Sequence, residues 1–283
     1  LWWALLWWAL LWWALCPPNK NGKMKYNYKV KHASGVANLK MAGILTILLT
    51  FVGTVAFGQG VQIDTLKLKK SEKFNGTESD KMNFPIIRTG DEKVDSIINF
   101  DMKNQFTSNE YPNDLPDATL IKWAGDQIVY LDFEVTYNEK GILSLHINAE
   151  KCGAYCSSWT DYFNYATISG EPLNISDIID TASEFKARVY KDKKSQYKQQ
   201  KKELLEMLND PESGLDQPTY ECALELYQEC ENAFDLESFA LYPDQLEIIG
   251  FCYLPNAIKN LTPVIALKYN YAKIKKYLIL KNL

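Results

Sequence analysis

Residues 127–137 read QIVYLDFEVTY, residues 138–141 NEKG, and residues 142–149 ILSLHINA. In the first run Val129, Leu131, Phe133, Val135 and Tyr137 stand at every second position, between mostly polar neighbours. A period of two sends alternate side chains to one face of a strand, so this run predicts a strand with one buried face. NEKG carries turn chemistry. Leu143, Leu145, Ile147 and Ala149 repeat the alternation, so the second run folds back on the first. Beyond a loop holding Cys152 and Cys156, residues 161–168 give a third strand, closed by Ser169-Gly170-Glu171-Pro172. Three such runs in succession make an antiparallel meander.

Outward from the meander, the pattern changes to helical spacing. On the N-terminal side Phe84-Pro85-Ile86-Ile87 starts a strand. Asp91 can cap a helix reaching Phe106, with Val94, Ile97, Ile98 and Met102 on one face. Residues 108–118 hold two prolines and several turn formers and read as a loop. Residues 59–83 read as a flexible lead-in, with an edge strand as the other option for this polar, lysine-rich stretch. On the C-terminal side a helical region begins at 174–180. A long lysine-rich helix follows over 183–209, and another over 219–233 behind Pro218. Residues 239–241 and 246–251 flank Tyr242-Pro243-Asp244-Gln245 as a hairpin, residues 262–269 form a strand, and 271–278 close the chain as helix or strand. No Gly/Ser linker interrupts 84–283. The expected architecture is therefore a single α+β domain after a signal peptide, an antiparallel sheet with helices packed on it.

The first 58 residues have a different character. Residues 1–15 are LWWAL three times over, and residues 1–23 read as a non-native or mistranslated leader. Residues 24–58 read as a signal peptide: Lys25, Lys29, Lys31 and Lys40 precede the uncharged run 42–58, which ends in Ala56-Phe57-Gly58. That run is shorter than the ~20 residues of a membrane-spanning helix. An uncleaved anchor at 42–58 is the alternative, and no stable span is expected once the signal is removed. Export to the periplasm or the outside would place the domain where disulfides persist.

The formal charge of −4 calls for no polyanionic partner. Arg88 and Arg188 are the only arginines. Lysine lacks the planar fork suited to base recognition, so a nucleic-acid partner is not expected. His146 is the single histidine after residue 58, on a strand face with Ser144 and Asn148, and reads as a half-exposed strand residue. There is no Walker loop, Rossmann glycine set, G-x-S-x-G elbow or H-E-x-x-H. No catalytic residue, metal site or cofactor is assigned.

Five cysteines follow residue 58. Cys152 and Cys156 could close a small loop. Cys222 and Cys230 lie about 12 Å apart along one helix, too far for a mutual bridge, and Cys252 could reach one of them. The odd count would leave one thiol free or intermolecular. Around the cysteine loop crowd Tyr155, Trp159, Tyr162, Phe163 and Tyr165. Phe163 and Tyr165 read as core. Tyr155 and Trp159, placed in the loop, read as ligand-facing, with Gly153 and Tyr162 beside them. The acidic pairs Asp177 with Asp180 and Glu221 with Glu225 read as helix faces. Opposed across a cleft, such a pair would make the chain a cell-envelope hydrolase instead. The lysines of 186–202 read as a solvated helix face, with attraction to an anionic wall polymer as the other option.

Four stretches resemble a known family in order and spacing. They are Phe84-Pro85 before the first helix; Tyr137-Asn138 with Gly141-Ile142-Leu143-Ser144-Leu145; Gly153-Ala154-Tyr155 followed by Tyr165 and the run from Gly170 to Ile179; and Phe239, Leu241, Pro243-Asp244 and Leu246 with the later Leu254-Pro255. Across roughly 84–278 this resembles the extracytoplasmic domain of unknown function shared by the lysozyme-binding anti-sigma factor RsiV and the N-terminal region of the peptidoglycan deacetylase PdaC. That family's loop histidine is Tyr155 here. The resemblance implies a non-catalytic binding or sensing domain, facing peptidoglycan or a lysozyme-like protein.

Overall fold

A computed structural model of the chain describes residues 60–70, 81–110, 114–182, 184–280 and 283. The leader 1–23, the signal segment 24–58 with its alternative anchor 42–58, and residues 71–80 of the lead-in lie outside the described residues. No helix among the described residues is long and apolar enough to cross a membrane.

The fold is α+β. Strands β1 (Gln62–Lys67) and β2 (Asn83–Arg88) pair antiparallel. Residues 62–67 of the lead-in thus take the edge-strand option. Helix α1 (Glu92–Phe106) follows, and the Asp91 side chain accepts the Lys93 and Val94 amides at 2.9 and 3.3 Å. Helix α2 (Pro116–Gln127) was not foreseen: the loop reading of 108–118 overruns its start. Pro116 opens this helix rather than breaking it, because a first-turn N–H has no intrahelical acceptor to lose.

The meander is present as β3 (Ile128–Glu139), β4 (Ile142–Cys152) and β5 (Cys156–Ala166), with β4 central. Lys140 and Gly141 turn between β3 and β4 at φ 53° and 79°, the left-handed pair a two-residue hairpin needs. Two details depart from the expected pattern. β5 starts at Cys156 rather than 161, because Ser157, Ser158 and Thr160 lack an apolar period and main-chain pairing with β4 alone defines the strand. Tyr137 also leaves the face of Leu131, Phe133 and Val135. A bulge between Val135 and Tyr137 makes Tyr137 the partner of Ser144, which transfers its ring to the opposite face.

The odd-numbered residues of β4, Leu143, Leu145 and Ile147, face a core closed by α1, α2 and β2, with Phe84, Ile98, Met102 and Leu120 fully buried. The even-numbered residues face a second sheet. Strands β6 (Phe239–Leu241), β7 (Gln245–Gly250) and β8 (Ile265–Asn270) form it, in that order and antiparallel. Helices α4 (Glu184–Asn209) and α5 (Gln217–Ala233) contribute Phe185, Val189, Tyr197 and Tyr227 to its core. The short helix α3 (Ile175–Ile178) precedes them, and α6 (Tyr271–Ile274) follows β8.

Side chain–backbone bonds join the two sheets. Ser144 Oγ accepts the Leu241 amide at 3.0 Å and the Thr136 hydroxyl at 3.0 Å; Asn164 Nδ2 donates to the Phe239 carbonyl at 2.9 Å. A disulfide joins Cys230 of α5 to Cys252 beyond β7. Cys222 is disulfide-bonded as well, so the expected leftover thiol is not found: no described cysteine is free. At the start of the fold the Asn138 side-chain amide clasps Val61, accepting its N–H at 2.9 Å and donating to its carbonyl at 2.8 Å. A β-carbon on Gly60 would overlap that same asparagine.

Candidate binding groove

The β4–β5 hairpin ends in a cross-strand disulfide between Cys152 and Cys156, the last residue pair of the ladder. Gly153 N–H donates to the Tyr155 carbonyl at 3.0 Å and closes the tip. Tyr155 is 72% exposed there, and Gly153 is exposed beside it. The Lys259 ammonium, from the 3₁₀ turn Asn256–Leu261, donates to the Cys156 carbonyl at 3.4 Å. Glu150 brings a carboxylate within 4.8 Å of both sulfurs. With the sulfurs bonded to each other there are no thiolates to complete a metal site.

Trp159 and Tyr162 point to opposite faces of β5, since Trp159 pairs with Ala149 and Tyr162 with His146. Trp159 stands on the strand, not in the loop. Its ring is half-buried against Trp123 and Phe106, at 6.2 Å from each, and its indole N–H donates to Asp161 at 3.1 Å. It therefore supports the first core, although it also borders the groove described next.

Tyr162 lies in a groove of about 490 Å³ between β5, β7 and the segment after β7. One wall of the groove has a local cause. A β-carbon at Gly250 would come within 2.8 Å of the Phe234 ring, so only glycine lets the strand end this close to that ring. The next residues keep the strand alternation without a partner strand. Cys252 and Leu254 turn inward, at 5% and 8% exposed, while Phe251 and Tyr253 turn outward, at 38% and 73%. The Cys230–Cys252 disulfide fixes the inward side. A ladder of rings results: His146 to Tyr162 at 5.6 Å, Tyr162 to Phe251 at 6.1 Å, and Phe251 to Tyr253 at 6.1 Å with planes 11° apart.

Sequence reasoning found Tyr162 but missed Phe251 and Tyr253. The available signal was their alternation with Cys252 and Leu254 just past a strand-ending glycine. Tyr155, Gly153 and Trp159 surround the hairpin, and only Trp159 and Tyr162 of the four expected residues border the groove.

Charge lies beneath the rings. Glu247 is buried on the groove floor, 3.5 Å from the Lys268 ammonium, and takes a hydrogen bond from Tyr242. Burial, then the Glu247 charge, pushes the Tyr162 phenol up. Burial likewise raises the Asp161 carboxyl, with the Trp159 N–H opposing it. His146 is held below the usual imidazole range by burial, against the pull of Glu134 and Glu247. Its Nε2 is 3.7 Å from Glu134, and its Nδ1 is buried without a hydrogen-bond partner among the described residues.

The acidic pairs lie elsewhere. Asp177 accepts the Asn174 amide at 2.8 Å as part of a capping box. Asp180 accepts the Ala182 amide at 2.9 Å, and Glu221 accepts the Gln217 side chain at 2.8 Å. All three are exposed, and none lines the groove.

No protein-family profile and no curated protein matches the sequence. By fold, the chain is similar to a DUF3298-family protein from Bacteroides fragilis, with a TM-score of 0.50 and 15% identity over 78% of this chain and 95% of that one. A DUF3298-family protein from Pseudomonas aeruginosa aligns with a TM-score of 0.40 and 12% identity over 78% of this chain and 93% of that one. At such identity the likeness to the Bacteroides protein shows a shared fold, that of a domain of unknown function.

Proposed function

We propose that this chain is an exported, non-catalytic binding domain that holds cell-wall carbohydrate against the aromatic wall of the groove. The observation that carries the reading is the pair Phe251 and Tyr253. They are two outward rings, nearly parallel, held in place from behind by a disulfide. Flat apolar faces beside polar groups suit the C–H face and hydroxyl rim of a sugar. Glu247 and Lys259 supply acceptor and donor at the floor and wall. The Cys152–Cys156 and Cys230–Cys252 disulfides support an oxidising compartment, in keeping with a signal peptide at 24–58. The resemblance to the RsiV and PdaC domain supports a partner at the cell wall.

The test is co-sedimentation of the purified chain with peptidoglycan sacculi. Saturable binding is expected, weakened roughly five- to tenfold in Tyr253→Ala and Phe251→Ala. Absence of binding at micromolar protein would overturn the carbohydrate reading and turn the search to a lysozyme-like protein, for which exposed rings are also good anchors. Release of soluble fragments from the sacculi, abolished in Glu247→Gln, would instead make the chain a hydrolase.

A further inference from the structure

A second concave surface lies between the two long helices and shares no lining residue with the aromatic groove. Helix α4 carries eight basic and four acidic residues in a chain whose formal charge is −4. A row of helix lysines is ordinarily a solvated convex face, but here part of the row lines a hollow. Lys193, Lys194, Lys198 and Lys201 border a groove of about 580 Å³ between α4 and α5, with Gln228, Glu231 and Asn232 on the opposite bank. A second hollow continues past Tyr190 to Lys186. From Lys186 to Lys201 the lysines span about 22 Å of helix axis.

The groove is built around fixed charge. Lys193 is only 7% exposed; its ammonium donates to the Glu231 carbonyl at 2.7 Å and sits 4.6 Å from the Tyr190 ring and 5.3 Å from that of Phe234. The single carboxylate of the groove, Glu231, is engaged by Lys201 at 2.7 Å. Among the described residues Lys194 and Lys198 make no ion pair. One turn apart on α4, they add two uncompensated charges beside a buried third. Burial lowers the Lys193 pKa, and Lys194 lowers it further despite the pull of Glu231. A bound anion would relieve that repulsion.

We propose that the α4–α5 groove is a separate binding site for a linear polyol phosphate, a flexible chain with phosphodiester groups along its length. Lysine point charges on a helix match phosphate oxygens without demanding a fixed planar geometry. A nucleic acid fits less well. The groove has no arginine for base edges, and its one bordering ring, Tyr190, is already taken up by Lys186 at 6.0 Å, Lys193 and the edge-on Phe234. The site does not depend on the carbohydrate reading of the aromatic groove.

Titrating the full chain with fluorescently labelled poly(glycerol phosphate), at about 50 and 200 mM salt, tests the proposal. Saturable binding is expected at low salt, falling as salt rises. The double variant Lys194→Ala with Lys198→Ala should lose on the order of tenfold in affinity, and its logarithmic salt slope should shrink by about two. Lys191→Ala with Lys202→Ala removes the same charge from the same helix outside the groove and should stay within about twofold. Tyr253→Ala should bind the polymer unchanged, which separates this site from the aromatic one. Equal losses in both lysine pairs, no binding at low salt, or tighter binding of a single-stranded DNA oligonucleotide would each overturn the proposal. Unchanged circular dichroism of the lysine variants confirms that folding is not the variable.

Discussion

The two faces of the central meander are both covered, but by different physics. On one side Leu143, Leu145, Ile147 and Phe163 meet helices and β2 in an apolar contact. On the other, Ser144 and Asn164 meet a second sheet through individual hydrogen bonds, Tyr162 meets Phe251 beyond β7 through a ring contact, and His146 packs on Tyr162 within the meander. Apolar contact is non-directional and tolerates small shifts. Hydrogen-bonded contact fixes register, but it leaves polar atoms such as His146 Nδ1 and Asn164 Oδ1 buried without partners among the described residues. The first face supplies stability. The second sets the position of β7 and with it the aromatic wall of the groove.

Three changes sharpen this contrast, in decreasing order of effect. Leu145→Ala, at a fully buried position of the apolar face, should lower unfolding free energy by about 3 kcal/mol in urea titration. Ser144→Ala should cost about 1–2 kcal/mol, since the Leu241 amide loses its acceptor. An equal or larger cost for Ser144→Ala would make the polar seam the stronger joint and break the comparison. The smallest effect concerns pH. The folded-state pKa of His146 lies below its unfolded value, so the unfolded chain binds the proton more readily. The contribution of neutral His146 is therefore complete above the ordinary value of about 6.5 and declines as pH falls through the folded value. His146→Gln should remove that part of the slope when urea midpoints are compared from about pH 8 down to pH 5. An unchanged slope would show that the imidazole is not desolvated by the second sheet.

The sequence was informative where a period was unbroken. Leu143, Leu145 and Ile147 declare their face, and Asp91 declares the start of α1. It misled where tertiary pairing overrode the period. Tyr137 continues the alternation of Val135 on paper, yet the extra residue at the bulge sends it to the other core. Trp159 lies in a polar run that reads as loop, and only the ladder with β4 makes it strand. The groove was hard to see for a related reason. Its walls come from β5 and from residues about 90 positions later, brought together by the packing of the second sheet. No local pattern records that meeting.

The clasp between Asn138 and Val61 has a consequence for variation among related chains. Position 138 needs a donor and an acceptor on one short side chain, which aspartate and leucine cannot provide. Position 60 must remain without a β-carbon whatever side chain stands at 138, because one would overlap the main-chain carbonyl of that residue as well as its amide. The two sites lie far apart in the chain but meet in the fold. Homologues whose first strand is attached in this way should keep glycine at 60, and a chain with a larger residue there would identify a lineage in which the strand is attached differently.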